Sequence, residues 1–198
     1  LVLREAAQAG VVEPEEREMI AGVMRLADRP VSGIMTPRPD IEWVDINSPP
    51  EKVREVLRNS SYSRLLVCDG DIDEVLGVVQ AKDLFNRSLQ GESLDLQAAL
   101  REATAVPETM SALKVLELLK RSPVHIALVV DEYGSLMGIV TTADILKVII
   151  GGLTEHGGRP EKRAQRRADG SWLLDGGIAL DEASELLGLS DLRADEGY

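Results

Sequence analysis

The sequence is poor in the residues from which metal clusters, disulfide scaffolds and membrane spans are built. Its 198 residues include one cysteine and two histidines. A lone Cys68 excludes an intramolecular disulfide and fits a reducing compartment. With Leu65, Leu66 and Val67 before it, Cys68 reads as a small buried hydrophobe rather than a reactive thiol. So few thiols and imidazoles leave no Cys/His metal cluster and no nucleophile–base pair. No window approaches the roughly 18 uninterrupted apolar residues of a membrane span. The stretch from Leu1 to Gly10 lacks the apolar core and cleavage site of a signal peptide. Basic residues are outnumbered, 22 Lys and Arg against 34 Asp and Glu, and the net charge of -12 argues against a nucleic-acid surface. Aromatic residues are scarce, with three Tyr, two Trp and one Phe, so Tyr62 draws notice. The chain opens on Leu rather than Met, which suggests a piece of a longer protein whose remainder could hold a membrane portion.

What is present is 44% apolar residues, enough for a core, arranged in an internal repeat behind an acidic helix. In that helix Pro14 suits the first position and Glu15 and Glu16 complement the dipole. Met19, Ile20, Val23 and Met24 form a stripe, and Arg29-Pro30 stops it. In the first copy, Ser48-Pro49-Pro50-Glu51 reads as a capping box, followed by Val53, Val56 and Leu57 at helical spacing. A strand from Arg64 to Cys68, a turn at Asp69-Gly70-Asp71 and a strand from Val75 to Val79 lead into a helix with Asp83, Leu84 and Phe85, closed near Gly91. The second copy repeats the order. A helix with Leu113, Leu116 and Leu119 precedes a strand from Ile126 to Val130 and a turn from Asp131 to Gly134. A strand from Leu136 to Val140 then enters a helix with Asp144, Ile145, Leu146, Val148 and Ile149, closed by Gly151. Gly77 and Gly138, like Asp83 and Asp144, are 61 residues apart (138 − 77 = 144 − 83). Each unit reads as helix–strand–strand–helix, and one unit alone exposes too much apolar sheet, so the two should pack together.

Beyond Gly152 the composition shifts to a flexible basic linker with Arg159, Lys162, Arg163, Arg166 and Arg167. Trp172-Leu173-Leu174 reads as a strand and Asp181 to Leu187 as a short helix, the start of a domain cut short.

Several motifs carry a resemblance: Ile34-Met35-Thr36-Pro37-Arg38, Tyr62-Ser63-Arg64, the run from His125 to Gly134, and Gly138-Ile139-Val140-Thr141-Thr142-Ala143-Asp144. They resemble a pair of CBS domains (a Bateman module), and more specifically that of the CorC/HlyC magnesium–cobalt efflux, or hemolysin-related, group and the related cyclin-M transporters. Leu66 stands where the family pattern has Pro. The tail from Asp169 resembles the opening of the family's transporter-associated domain. The resemblance implies an α/β (α+β) fold of tandem repeats, each a small sheet with flanking helices, packed as a pseudo-two-fold pair. It implies residues 1–30 as a connector helix, 31–91 and 92–151 as the two CBS repeats, 152–170 as linker and 171–198 as the truncated domain. It further implies a homodimer, on the cytoplasmic side of the plasma membrane, that follows a transmembrane domain and binds ATP or AMP with magnesium. Such a module regulates the ion efflux of its parent and is not itself an enzyme.

On residues alone, Thr141 to Asp144 sits at a strand-to-helix junction whose free N–H groups and dipole suit phosphate, with Thr141 as a hydroxyl donor and Asp144 accepting ribose hydroxyls. Capping of the helix by Thr141 and Asp144 reads the same residues equally well. The resemblance adds Thr36, Tyr62, Arg64 and Leu65 to the cleft, Arg64 toward phosphate and Tyr62 toward base or sugar. The mirror position keeps Asp83 but has Gln80 for the threonine, so one nucleotide site rather than two is expected. No dedicated metal site is expected; magnesium arrives on the phosphates. The alternative is a structural dimerisation module with an empty cleft. A nucleotide hydrolase lacks a visible base, and the tail's likeness to flavin-binding folds would show as yellow colour.

Overall fold

A computed structural model describes residues 13–91, 93–150, 164–167, 169–174, 183–184 and 187–189. The chain divides into two units, one running to Gly151 and the other from Gly152. In the first unit, α1 (Pro14–Asp28) precedes β1 (Thr36–Pro37). The first repeat then runs β2 (Trp43–Asp45), α2 (Pro50–Asn59), β3 (Arg64–Asp69), β4 (Asp71–Gln80) and α3 (Ala81–Leu89). After a short α4 (Leu96–Ala99), the second repeat follows as β5 (Thr104–Pro107), α5 (Ala112–Arg121), β6 (Ile126–Val130), β7 (Leu136–Thr141) and α6 (Thr142–Ile150).

Each repeat therefore begins with a strand that hydropathy reading passed over. β2 runs parallel to β3, with Val44 beside Val67, and β5 runs parallel to β6, with Val106 beside Val129. At three and four residues, and with Pro107 in the second, these strands are too short for a period-2 signal to emerge. The hairpins lie where expected. Gly70 (φ 72°) and Gly134 (φ 85°) supply the left-handed residue of each turn. The Asp131 carboxylate accepts N–H bonds from Tyr133 (2.9 Å) and Ser135 (2.8 Å) to set the second turn.

Alternation along the strands builds a layered core. Leu65, Val67 and Val79 face α2 and α3 with Val53 and Leu84. Ala127, Val129 and Val140 face α5 and α6 with Val115, Leu119 and Ile145. Leu66, Cys68 and Val78 point the other way and meet Val124, Ile126 and Leu136 of the second repeat. Both faces of each sheet are covered, which explains the near-continuous apolar strands.

The segments leading into the repeats are exchanged. β1, ahead of the first repeat, pairs antiparallel with β7 of the second, Thr36 opposite Ile139. Arg101, ahead of the second repeat, bridges to Val78 of β4 in the first. Leu94, Leu96 and Ala99 pack on the first core, while Val31, Ile34 and Met35 pack on the second. The two glycines of the repeat explain themselves here. A Cβ on Gly138 would lie 2.6 Å from the Thr36 carbonyl oxygen, and one on Gly77 would lie 2.7 Å from that of Arg101.

Three local expectations need correction. The stripe on α1 is not its buried face: Met19, Ile20, Val23 and Met24 are exposed, Met24 by 63%, whereas Gly22 and Leu26 are buried. Helix α1 packs on α6 so closely that a Cβ on Gly22 would meet the Ile149 carbonyl oxygen at 2.5 Å. A glycine, invisible to hydrophobic periodicity, thus marks the contact. Helix α2 starts at Pro50 with Pro49 as its cap and no side-chain capping bond, so Ser48 stands one residue too early. On α5 the buried residues are Ala112, Val115 and Leu119, with Leu113 exposed.

In the second unit, β8 (Ala164–Arg166) pairs antiparallel with β9 (Trp172–Leu174), the strand expected at Trp172. Residues 164–166 belong to the stretch read as linker, and the polar run Ala-Gln-Arg gave no strand signal. Gly151, residues 152–163 and 168 of the basic stretch, and most of the helix expected at 181–187 lie outside the described residues.

Candidate nucleotide site

Thr141 ends β7 opposite Ile126, and the chain turns at once into α6. Both capping interactions form there. Asp144 Oδ2 accepts from the Thr141 N–H (2.9 Å) and from its hydroxyl (2.7 Å), and the Asp144 N–H donates back to Thr141 Oγ1 at 3.3 Å. This is a reciprocal capping box that fixes the carboxylate on the rim of the helix. Thr141 was expected to donate its hydroxyl to a ligand; the structure commits that proton to Asp144, leaving the oxygen as an acceptor. Asp144 Oδ1 has Lys147 Nζ at 3.6 Å. Its side chain keeps 17% exposure, enough for that second oxygen to remain reachable.

Thr36 joins this sheet directly, pairing with Ile139 two residues before Thr141. The first repeat contributes from the start of β3. Arg64 pairs with Gln80 and shares the strand face of Leu66 and Cys68, the face packed on the second repeat. Its Nη1 donates to Ser63 Oγ at 3.1 Å, while its Nε is buried with no hydrogen-bond partner among the described residues. Tyr62 is 48% exposed, and its N–H donates to Ser60 Oγ. Leu65, opposite Val79 in the β3–β4 ladder, is only 2% exposed and packs in the first core.

The mirror position holds a residue that sequence reading missed. Arg101 bridges Val78 as Thr36 pairs with Ile139, and 139 − 78 is again 61, so Arg101 is the counterpart of Thr36. Its Nη2 lies 2.7 Å from Asp83 Oδ2. Thr36 precedes its repeat's first strand by seven residues and Arg101 by three, so no constant spacing links them. The two close-contact glycines are the signal that could have found the pair.

Two expectations about inert residues are met. His125 adopts a left-handed φ of 52° and its Nδ1 lies 2.9 Å from the Leu119 carbonyl oxygen at the end of α5, a structural role. Cys68 is fully buried, and desolvation, with lesser contributions from Asp71 and Asp45, pushes its thiol up to about 11.

The comparisons with known proteins agree with this architecture. The CBS domain family model matches residues 31–89 and 96–151. The chain belongs to the CBS domain family. Among curated relatives, the UPF0053 protein YegH of Escherichia coli is 42% identical over 87% of this chain and 33% of the relative. The polyamine export protein of E. coli is 32% identical over 100% of this chain and 44% of the relative. This chain thus spans less than half the length of those relatives. Among solved structures, the CBS domain of a bacterial CNNM/CorC family Mg2+ transporter superposes with a TM-score of 0.70 at 33% identity, covering 78% of this chain and 94% of that one. A complex of such a domain with ATP gives 0.63 at 35% identity, covering 70% and 99%. A Klebsiella pneumoniae CBS pair with bound AMP gives 0.57 at 28%, covering 62% and 98%. No helix of the described residues is long and apolar enough to cross a membrane.

Proposed function

We propose that this CBS pair binds an adenine nucleotide at the Thr141–Asp144 junction and thereby regulates a membrane-bound cation exporter of which it forms a cytoplasmic part. The supporting observation is the buried, unpartnered Nε of Arg64 on the face turned toward the second repeat. An orphaned buried donor is costly, and a ligand oxygen would satisfy it. The ATP and AMP complexes of similar CBS pairs support the same reading.

In this reading the Asp144 carboxylate accepts the sugar hydroxyls and Arg64 donates to phosphate with the first turn of α6. Thr36, Tyr62 and Leu65 line the remainder. No cluster of three or more His, Cys, Asp or Glu exists among the described residues, and in this reading magnesium comes with the phosphates. The role is regulatory rather than catalytic. Residues 1–30 serve as connector, 31–91 and 92–151 as repeats, 152–170 as tether and 171–198 as the start of a further domain. Because β1 leads back through Pro30 to α1, and α1 lies on α6, occupancy has a short route to the connector. It shifts the arrangement only by its differential affinity for the two states.

A homodimer also fits. Exposed apolar residues recur at the repeat offset, Phe85 with Leu146 and Leu89 with Ile150, leaving an unpaired apolar face on α3 and α6. The cargo of the parent is a divalent ion in the CorC reading, magnesium or cobalt. A polycation is the second reading, favoured by the similarity to a polyamine export protein. Calorimetry with ATP, ADP and AMP, each with and without magnesium, tests the proposal. Binding that disappears in Asp144→Ala supports it. Absence of heat for every nucleotide would leave the structural dimerisation module, which the self-satisfied capping box already suits.

A further inference from the structure

The mirror cleft is not a degraded copy of the first one. A cavity of about 310 Å³ opens there, lined among others by Asp83, Asn86, Arg87, Leu100 and Arg101. Relative to the Thr141–Asp144 side, Arg101 stands for Thr36 and Arg87 for Val148 (148 − 87 = 61). Two guanidinium groups have entered where the other side has a hydroxyl and an isopropyl group. Arg101 is held firmly: its main chain exchanges two 2.9 Å hydrogen bonds with Val78, and its side chain binds Asp83. That ion pair engages Asp83 Oδ2 and turns the carboxylate toward Arg101 rather than toward the end of its own strand. Arg87 has no carboxylate partner among the described residues and is only half-exposed. Two arginines and one aspartate leave the cleft with a net positive charge on a chain of net charge -12.

We infer that this cleft is a receptor for a phosphate-class oxyanion, bound by Arg87 and by the free N–H groups of Arg101 without recognition of a nucleoside. Each guanidinium carries five N–H donors in a planar fork, and Asn86 adds an amide. Such a donor-rich wall calls for a ligand that only accepts, and the fork geometry matches phosphate oxygens. A cationic spot on an acidic surface also concentrates small anions locally.

The test titrates pyrophosphate, adenosine and ATP into the chain and into Arg87→Gln, Arg101→Gln and Asp144→Ala variants. Arg87→Gln leaves the Asp83–Arg101 pair intact, so folding is retained and circular dichroism checks it. Pyrophosphate is expected to bind the parent chain and Asp144→Ala alike, to weaken about tenfold in Arg87→Gln, and not to be displaced by adenosine. If ATP also weakens in Arg87→Gln, the anion is the phosphate tail of a nucleotide; if only pyrophosphate weakens, it is a free anion. No pyrophosphate binding at ~1 mM, binding indifferent to Arg87→Gln, binding lost in Asp144→Ala, or displacement by adenosine each overturns the inference.

Discussion

At Thr141–Asp144 a carboxylate is held by the hydroxyl and N–H of its own strand end; 61 residues earlier, at Gln80–Asp83, the corresponding carboxylate is held by the guanidinium of Arg101. Both sites share a strand-to-helix junction, a glycine pressed by a neighbouring carbonyl, and a segment exchanged from the other repeat. Duplication has kept the backbone and let the side chains part. The difference teaches that a matched acid is no guarantee of a matched site: what neutralises the acid decides what it can still accept.

The comparison can be broken most forcefully through the two acids. Asp144→Ala is expected to weaken adenine nucleotide about 100-fold or more by calorimetry, the loss of two charge-assisted hydrogen bonds. Asp83→Ala should change it less than threefold. Equal losses would mean that both clefts bind nucleotide. Asp144→Ala also costs the helix cap, about 1 kcal/mol, a decrease of a few degrees in melting temperature that ATP should no longer offset.

The paired glycines come next. Gly138→Ala and Gly77→Ala should each destabilise by about 3 kcal/mol in urea unfolding, because the new methyl meets backbone that cannot easily move. Only Gly138→Ala, which displaces the segment carrying Thr36, should also weaken nucleotide. Gly22→Ala is expected to speed amide exchange across α1 while the sheets stay protected.

Cys68 gives a smaller, pH-dependent effect between the repeats. Its folded pKa is raised, from 9.0 to about 11, so the thiolate is disfavoured in the folded state. The stabilisation is fully present below pH 9 and is lost as pH climbs toward 11, amounting to about 2–3 kcal/mol. Cys68→Ala should flatten that part of the stability curve relative to the parent chain. Smallest is Arg38, whose Nη2 lies 2.8 Å from Asp73 Oδ2 on the first hairpin. Both partners are well exposed, and Arg38→Gln should cost under about 1 kcal/mol, screened by salt.

Much of this was legible in the residues. The hairpins followed from the turns at Asp69-Gly70-Asp71 and Asp131 to Gly134 between apolar runs, and the duplication from the 61-residue offset of Gly77 and Asp83. Thr141 and Asp144 were legible because a cap and an anion site ask for the same residue types at a helix start. The short parallel strands at Trp43 and Thr104 were not, because three or four residues carry no period. The buried face of α1 was hidden because Gly22 makes the contact by having no side chain. Arg101 was missed because its partnership with Asp83 depends on an exchanged segment, a long-range pairing that no local pattern encodes.

The most direct measurement is a crystal structure of the chain grown with ATP and magnesium. The account predicts a nucleotide with its sugar hydroxyls on Asp144, the Arg64 Nε within hydrogen-bond distance of a ligand oxygen, and no nucleoside at Asp83. An unaltered Thr141–Asp144 capping box beside an empty cleft, at saturating nucleotide, would contradict it.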